Sequence, residues 1–177
     1  AGLIGSSIAR ACAATGAAGA IHIWDINPDV RARAAHIGLG EVFDEPDAAV
    51  ADCDLVVLCA PSGAMGAAAR AIAPGLKRGA IVTDVGSVKA AVIAAVRPEL
   101  PAGVQFIAGH PIAGTEQSGP DAGFATLFEG RWCILCPSDD ADLDAVARLS
   151  TFWTVLGARV ETMDAARHDL VLAMTSH

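Results

Sequence analysis

Short apolar segments alternate with helix-forming segments along the whole chain, and this alternation constrains the fold more than any other feature. Strand-like segments occur at 20–25, 54–59, 80–85, 104–108, 131–136 and 159–162. Helix-like segments occur at 2–14, 27–37, 63–73, 87–96 and 139–156, and another begins at 164. Strands that alternate with helices predict an α/β fold with a doubly wound, mostly parallel sheet. Because ligands of such sheets bind beyond the carboxyl ends of the strands, polar residues that follow strands are the candidate site residues.

The composition is typical of a single folded domain and argues against nucleic-acid and membrane partners. Hydrophobic residues make up 53% of the 177 residues and charged residues 18%, which excludes a disordered chain. The net charge is −8 and the Lys and Arg residues are scattered, so we expect no nucleic-acid partner. The chain has no run of about 18 apolar residues and no basic segment at its start, so we expect neither a membrane span nor a signal peptide. Five cysteines without an export signal favour a reduced, cytoplasmic setting.

Two cysteines have the spacing of a metal-binding pair. Cys133 and Cys136 are three residues apart, but no second pair accompanies them. They also lie in a strand-like segment, where residues three apart point to opposite faces of the sheet. We therefore predict two buried thiols and no metal site.

A glycine turn at the start of the chain indicates a dinucleotide site. Gly2, Leu3, Ile4 and Gly5 open the first helix-like segment and match the second half of the G-x-G-x-x-G turn of Rossmann-type folds. On this interpretation the first strand and the first glycine would precede Ala1. Gly2 would let the backbone approach a pyrophosphate, and Gly5 would let the helix pack closely on the sheet.

Asp25 supports this interpretation because it ends the next strand-like segment, 20 residues after Gly5. A carboxylate at that spacing bonds the ribose hydroxyls of the adenosine. It would repel the extra phosphate of NADP, and no Arg follows directly, so NAD is favoured over NADP. The alternative is that Asp25 only begins the turn before Asn27, which is a predicted helix N-cap.

Two longer motifs are more specific than the glycine turn: DVGSVK at 84–89 and GHPIAGTEQSG at 109–119. In this order and spacing they resemble the paired signatures of the prephenate/arogenate dehydrogenase family, and the resemblance extends over essentially the whole chain. It implies a dinucleotide-binding domain over 1–162 and the start of a helical substrate and dimerisation domain over 163–177. It also implies an NAD-dependent enzyme of tyrosine biosynthesis that oxidises and decarboxylates prephenate, and a homodimer formed through the helical domain.

The resemblance assigns catalytic roles to His110 and Ser87. Hydride can leave the carbinol carbon of the substrate only if the hydroxyl loses its proton, and a neutral imidazole is a natural acceptor. His110 comes after a strand-like segment at the predicted ligand edge and matches the family's catalytic histidine. Ser87 matches a family serine that would orient His110 and the substrate oxygen. Alternatively, Ser87 simply caps the helix that it precedes.

Further residues are assigned to the pocket through the same resemblance. Gly114, Thr115 and Glu116 would line the substrate side, and so would His177, which matches the first histidine of a Ser-His motif. Ser62 follows a strand-like segment where the family's backbone passes the nicotinamide ribose.

Other polar and aromatic residues are interpreted as structural or are left open. Lys89 would be a solvated charge one turn into a helix, and Trp132 and Trp153 would belong to the core. His168 and Asp169 would form either a pocket wall or a pair on a helix surface.

Three alternative functions are left by the sequence. Arogenate has an amino group where prephenate has a side-chain keto group, so the enzyme would use arogenate or both compounds. Another β-hydroxyacid-type dehydrogenase would share the glycine turn but typically rely on a lysine of the helical domain. A non-catalytic NAD-binding regulator would lack an acid/base residue, against which His110 argues.

Overall fold

The computed structural model of the chain describes residues 1–175, which form an α/β fold. The helices are α1 (Leu3–Thr15), α2 (Pro28–His36), α3 (Pro46–Val50), α4 (Met65–Ile72), α5 (Ala90–Val96), α6 (Leu143–Val155) and α7 (Ala165–Thr175). The strands are β1 (His22–Ile23), β2 (Glu41–Val42), β3 (Leu55–Leu58), β4 (Ile81–Asp84), β5 (Gln105–Phe106), β6 (Ala108–Pro111), β7 (Trp132–Cys136) and β8 (Arg159–Thr162). The predicted alternation of strands and helices is therefore confirmed.

The strands pair mostly in parallel, as predicted. Strands β3, β4 and β5 form one group of parallel strands, β7 and β8 pair in parallel in a second group that includes β6, and β1 pairs with β2 in parallel. The exception among the described strands is β6, which runs antiparallel to β7. Only Ile107 separates β5 from β6, and its N–H donates to Val82 O at 3.0 Å. The segment 105–111 thus lies between β4 and β7 and joins the two groups.

Helices cover both faces of the sheet, which is the doubly wound arrangement. Ile81 on β4 packs with α1 and α6 residues, and Trp153 of α6 is completely buried in that cluster. The next residue, Val82, packs on the other face with Met65 of α4 and Val92 of α5. Consecutive strand residues point to opposite faces, so β4 contributes to both hydrophobic layers.

Helix ends follow local sequence signals. Asn27 caps α2 by accepting from Asp29 N at 2.9 Å, as predicted. Gly16 ends α1 in the left-handed conformation, with φ of 70°, and donates its N–H to Cys12 O. Asp164 precedes α7 and accepts from Arg167 N at 2.8 Å. Each side chain or backbone bond satisfies groups that a helix end leaves without partners.

Two local predictions are wrong, and two short elements were missed. Trp132 is not in the core: it begins β7, is 47% exposed, and lies under the guanidinium of Arg159. Helix α5 begins at Ala90 and not at Ser87. The short elements β2 and α3 were not predicted, because two to five residues are too few to show a hydrophobic period.

Strand β1 has two residues where the sequence predicts six. Among the described strands it pairs only with β2, and β3 pairs only with β4. The other edges of β1 and β3 line one cavity of about 660 Å³, with the inner face of α1 as a further wall. Apolar side chains line much of it, including Ile8, Ile21, Ile23, Leu55 and Val57.

No helix among residues 1–175 is long and apolar enough to cross a membrane.

Candidate active site

The carboxyl ends of three neighbouring strands bring together the motif residues. Asp84 ends β4, His110 lies in the adjoining β6, and Ser62 follows β3. The turn after β4 packs on Ser62, because a Cβ placed on Gly86 would lie 3.3 Å from Ser62 Oγ. Two motifs that are separated in sequence, 84–89 and 109–119, therefore meet at one edge of the sheet.

Lys89 is buried, so the prediction of a solvated charge is wrong. Its Nζ donates to Asp84 Oδ2 and to Gly109 O, both at 2.5 Å, and neither charged side chain is exposed. Asp84 also accepts from Gly86 N at 2.8 Å and from Gly109 N at 3.1 Å. Burial raises the pKa of the Asp84 carboxyl, while the Lys89 ammonium and the two N–H groups act in the opposite direction. The first motif is thereby fastened to the strand that carries the histidine.

His110 lies within β6, opposite Ile134 of β7, and not beyond the end of a strand as predicted. The sequence predicts a strand that ends at Ala108, whereas β6 continues through His110 to Pro111. The antiparallel ladder with β7 supplies the partners that extend the strand through Pro111. This ladder fixes the backbone from which the His110 ring projects.

The environment of His110 keeps its imidazole neutral. Burial, then the nearby His168 ring, then the Lys89 charge lower the pKa of His110 from 6.5 to about 4, against the opposing effect of Asp169. Nδ1 of the His110 ring lies 2.9 Å from His168 Nε2. Among the described residues, no hydrogen bond engages the other ring nitrogen, Nε2.

His168 and Asp169 are functional candidates that sequence reasoning did not select. They lie on α7, and Nδ1 of the fully buried His168 is 2.8 Å from Asp169 Oδ1. Asp169 also accepts from Lys89 N at 2.7 Å and Ala90 N at 2.9 Å, so it supplies the cap that α5 lacks. The available signal was a polar pair at the start of an otherwise apolar segment, LVLAM, which does not specify a partner 58 residues away.

Ser87, the proposed helper of His110, is exposed in the loop between β4 and α5. It does not cap α5, because Lys89 occupies the N-cap position and makes no side-chain cap. The capping interpretation of Ser87 is therefore wrong. Ser87 lies two residues before Lys89, on the exposed part of this loop.

The glycine turn lies where the sequence predicts it, at the beginning of α1. Gly2 is the N-cap and Ser6 N makes the first helical bond to Gly2 O, which leaves the N–H groups of Leu3, Ile4 and Gly5 without helical partners. A Cβ on Gly5 would lie 3.5 Å from the Cys59 side chain, so α1 packs closely on the residue that follows β3.

Asp25 is brought next to this helix end, two residues beyond β1. Its carboxylate lies against the backbone nitrogen of Ala1 and accepts from Asn27 N at 2.9 Å. The second bond is the one expected if Asp25 begins the turn before α2. The first shows that the carboxylate reaches the N-terminal end of α1.

The predicted substrate residues lie in the loop after β6. Gly114, Thr115 and Glu116 are exposed, and Thr115 Oγ1 accepts from Gln117 N at 3.2 Å. His177 lies outside the described residues.

The cysteine pair is buried on β7. Burial raises the pKa of the Cys133 thiol to about 12 and that of Cys136 to about 11. Across residues 1–175 no group of three or more His, Cys, Asp or Glu side chains is arranged to hold a metal ion.

Comparison with known proteins identifies the family. Residues 8–162 match the family model described as the nucleotide-binding domain of prephenate dehydrogenase. A cyclohexadienyl dehydrogenase of Zymomonas mobilis is 45% identical over 177 residues, covering 99% of this chain and 60% of that protein. The chain thus spans less than two thirds of that relative.

Solved structures agree with this match. Prephenate dehydrogenase from A. aeolicus, in complex with hydroxyphenyl propionate and NAD⁺, aligns with a TM-score of 0.87 and 34% identity, over 96% of this chain and 59% of that one. Synechocystis arogenate dehydrogenase aligns with a TM-score of 0.91 and 28% identity, over 99% and 62%. The chain therefore belongs to the prephenate dehydrogenase family and corresponds to its nucleotide-binding domain.

Proposed function

We propose that this chain is the NAD-binding part of an enzyme that oxidises and decarboxylates prephenate to 4-hydroxyphenylpyruvate in tyrosine biosynthesis. The observation that carries the proposal is a neutral, partly buried imidazole, His110, at the ligand edge of a dinucleotide-binding sheet. A neutral imidazole is ready to accept the proton of a hydroxyl group near pH 7. Membership of the family supplies the reaction class.

The residues of the glycine turn fit a dinucleotide. The free N–H groups at the start of α1 suit a pyrophosphate, because a helix N-terminus attracts anions without side-chain charge. Gly2 has no atom within 4 Å of a Cβ built on it, so the approach is open. Asp25 lies beside this helix end, where its carboxylate would bond the adenosine ribose, and Ser62 lies near the turn that would face the nicotinamide ribose.

His110 would accept the hydroxyl proton of the substrate at Nε2. A bound NAD⁺ would supply the acceptor for the hydride that leaves the carbinol carbon. The bond to the ring carboxylate then breaks as CO2 leaves, and its electron pair completes the aromatic ring. The oxygen recovers the proton from His110 and becomes the phenol, so the histidine ends the cycle in its starting state.

The remaining pocket residues belong to the same proposal. Ser87 would orient the substrate oxygen from the loop after β4. Gly114, Thr115 and Glu116 would contact the substrate from the exposed loop after β6. His177 would join them from the helical side.

Arogenate is the second candidate substrate, alone or together with prephenate. The 45% identical relative carries the name cyclohexadienyl dehydrogenase, and one structural relative is an arogenate dehydrogenase. The two substrates differ only in the side chain remote from the hydroxyl, so the proposed role of His110 is the same for both.

The domain division also belongs to the proposal. Residues 1–162 would bind the dinucleotide, and 163–177 would begin a helical domain that contributes substrate contacts and a homodimer interface. The cavity between β1 and β3 would receive the strand predicted to precede Ala1, since two unpaired strand edges line it. Five free cysteines support a cytoplasmic setting.

The test is NADH formation by the natural-length protein with prephenate and arogenate in parallel, and with NADP in place of NAD. We expect turnover with NAD, a preference for prephenate, and weaker use of NADP because of Asp25. His110→Ala should lower kcat by roughly 10²–10⁴-fold, the usual contribution of a general base.

Binding of NAD to the His110→Ala variant is the control, and its Kd should be unchanged. Folded protein that binds NAD but turns over neither substrate would reject the proposed reaction and favour a regulator.

A further inference from the structure

We propose that His168 and Asp169 act on His110 as positioning residues, fixing the ring tautomer that leaves Nε2 free to accept the substrate proton. The inference rests on the proposed function and deepens it. Neither residue would touch the substrate hydroxyl; both would act through His110.

The three side chains form a continuous hydrogen-bonded row. Asp169 Oδ1 lies 2.8 Å from His168 Nδ1, and His168 Nε2 lies 2.9 Å from His110 Nδ1. The two imidazoles meet edge to face, with ring centroids 5.1 Å apart and an interplanar angle of 67°. His168 is completely buried, so water does not compete for either nitrogen.

Asp169 decides the direction of every hydrogen bond in this row. Burial raises the pKa of its carboxyl, but the N–H groups of Ala90 and Lys89 and the His168 ring lower it further, so the net shift is downward. An ionised carboxylate can only accept hydrogen bonds. A neutral His168 ring then donates from Nδ1, and its Nε2 is an acceptor.

The same logic passes to the next ring. His110 must donate from Nδ1 to His168 Nε2, so the lone pair of His110 is on Nε2. In a free histidine the proton resides mainly on Nε2, and that form would present a donor to the substrate hydroxyl. The row thus selects the tautomer that the chemistry needs, and it also holds the ring in a fixed orientation.

The row also suits the charge that forms during the reaction. When the hydroxyl proton arrives at Nε2, His110 becomes an imidazolium whose Nδ1–H still donates to His168. The carboxylate of Asp169 lies beyond that ring and stabilises the positive charge, while the Lys89 ammonium opposes it. Proton return to the product oxygen is favoured by the same Lys89 charge.

Asp169 is held independently of the histidines, which makes the row rigid. It accepts from Lys89 N and Ala90 N at the start of α5, so it links α7 to the loop that carries Ser87. The groups facing His110 from the neighbouring elements are Lys89 and, on α7, the two members of the row.

The test reads the tautomer directly by two-bond ¹H–¹⁵N NMR of the histidine rings in the natural-length protein. In the unaltered protein we expect His110 to carry its proton on Nδ1. His168→Leu keeps the site apolar and removes the acceptor, so the Nε2–H form should appear. His168→Gln offers an amide oxygen to the same Nδ1–H and should keep the original form.

Kinetics provide the second reading. His168→Leu should lower kcat by roughly 10–100-fold, a fraction of the full general-base contribution, with the Kd of NAD unchanged. His168→Gln should recover most of that loss. His36→Gln, at an exposed helix position, is the matched control and should change neither reading.

Two results would overturn the inference: an Nε2–H tautomer of His110 in the unaltered protein, or the same tautomer in His168→Leu as in the unaltered protein. Circular dichroism establishes that each variant is folded, and if His168→Leu does not fold, the tautomer of His110 in the unaltered protein decides. If the unaltered protein turned over neither substrate, the proposed function would fail while the NMR reading still tested the row.

Discussion

At the scale of single residues, the ammonium of Lys89 holds three parts of the site together. The ammonium bonds Asp84 at the end of β4 and the backbone oxygen of Gly109 in β6. The backbone N–H of Lys89 donates to Asp169 of α7. A buried charge of this kind is costly unless it is paired and hydrogen-bonded, and here both charges are. The ion pair of Lys89 and Asp84 thereby fixes the position of β6, which carries His110, relative to β4.

Removing this charge should destabilise the fold. Lys89→Met leaves the Asp84 carboxylate buried without its partner, so we expect the free energy of unfolding to fall by about 3–5 kcal/mol in urea denaturation. Lys77→Met is the control, because Lys77 pairs with the exposed Asp54 at the surface, and it should cost less than about 1 kcal/mol. Equal losses in both variants would show that burial of the Lys89 pair does not matter.

The depressed pKa of His110 predicts a defined pH dependence. In the folded chain the imidazole should stay neutral from pH 8 to pH 5 and titrate near pH 4, which NMR can follow. The unfolded chain takes up this proton near 6.5, so it binds more protons than the folded chain between 6.5 and about 4. Stability should therefore decline as the pH falls through that window.

His110→Gln removes this contribution, so the decline below pH 6.5 should become shallower. Titration of His110 at or above 6.5 in the folded protein would contradict the prediction and the neutral base that depends on it.

At the scale of elements, the close approach of β6 to β4 determines the shape of the site. A Cβ on Gly109 would lie 2.9 Å from Asp84 O and 3.0 Å from Thr83 Oγ1, which is tighter than side chains tolerate. Glycine is therefore required next to His110 for steric reasons. The Gly-His-Pro sequence lies in a strand whose glycine permits this approach and whose histidine is the proposed base.

Gly109→Ala should push β6 away from β4 and lower the free energy of unfolding by about 1–3 kcal/mol, the usual cost of overpacking. Gly19→Ala is the matched control: a Cβ there meets no atom within 4 Å and its φ is not positive, so stability should change by less than about 1 kcal/mol. Thermal unfolding of both variants makes the comparison. An unchanged free energy of unfolding in Gly109→Ala would show that β6 can move away from β4 without loss of stability.

At the scale of the whole molecule, the sequence predicts the layers well and the contacts between distant segments poorly. Strands such as 54–59 and 80–85 are apolar because both of their faces are covered, and that pattern is local. The contact of the buried Lys89 ammonium with Gly109 and the row from Asp169 to His110 depend on pairings 20 and 58 residues apart. Local periodicity cannot predict such pairings, so the sequence indicates neither the buried ion pair of Lys89 nor the contact of His168 with His110.

The candidate site residues likewise divide into those set by local sequence and those set by contacts between distant segments. Those fixed by one element and its ends, such as Gly2 and Gly5 at the start of α1, lie where the motif predicts. Ser87 was assigned a cap by a local rule, but a side chain from another helix provides that cap. Tertiary contacts override a capping preference when they bring a better acceptor.

The origin of the His110 partner in α7 has a consequence for synthesis. A ribosome completes β4, β6 and β7 before it adds residues 165–175, because the chain grows from its N-terminus. During that interval His110 has its strand but not His168, and Lys89 N and Ala90 N lack their acceptor. A nascent chain would thus hold β4, β6 and β7 while His110 still lacked its His168 partner, which arrives only when α7 is made.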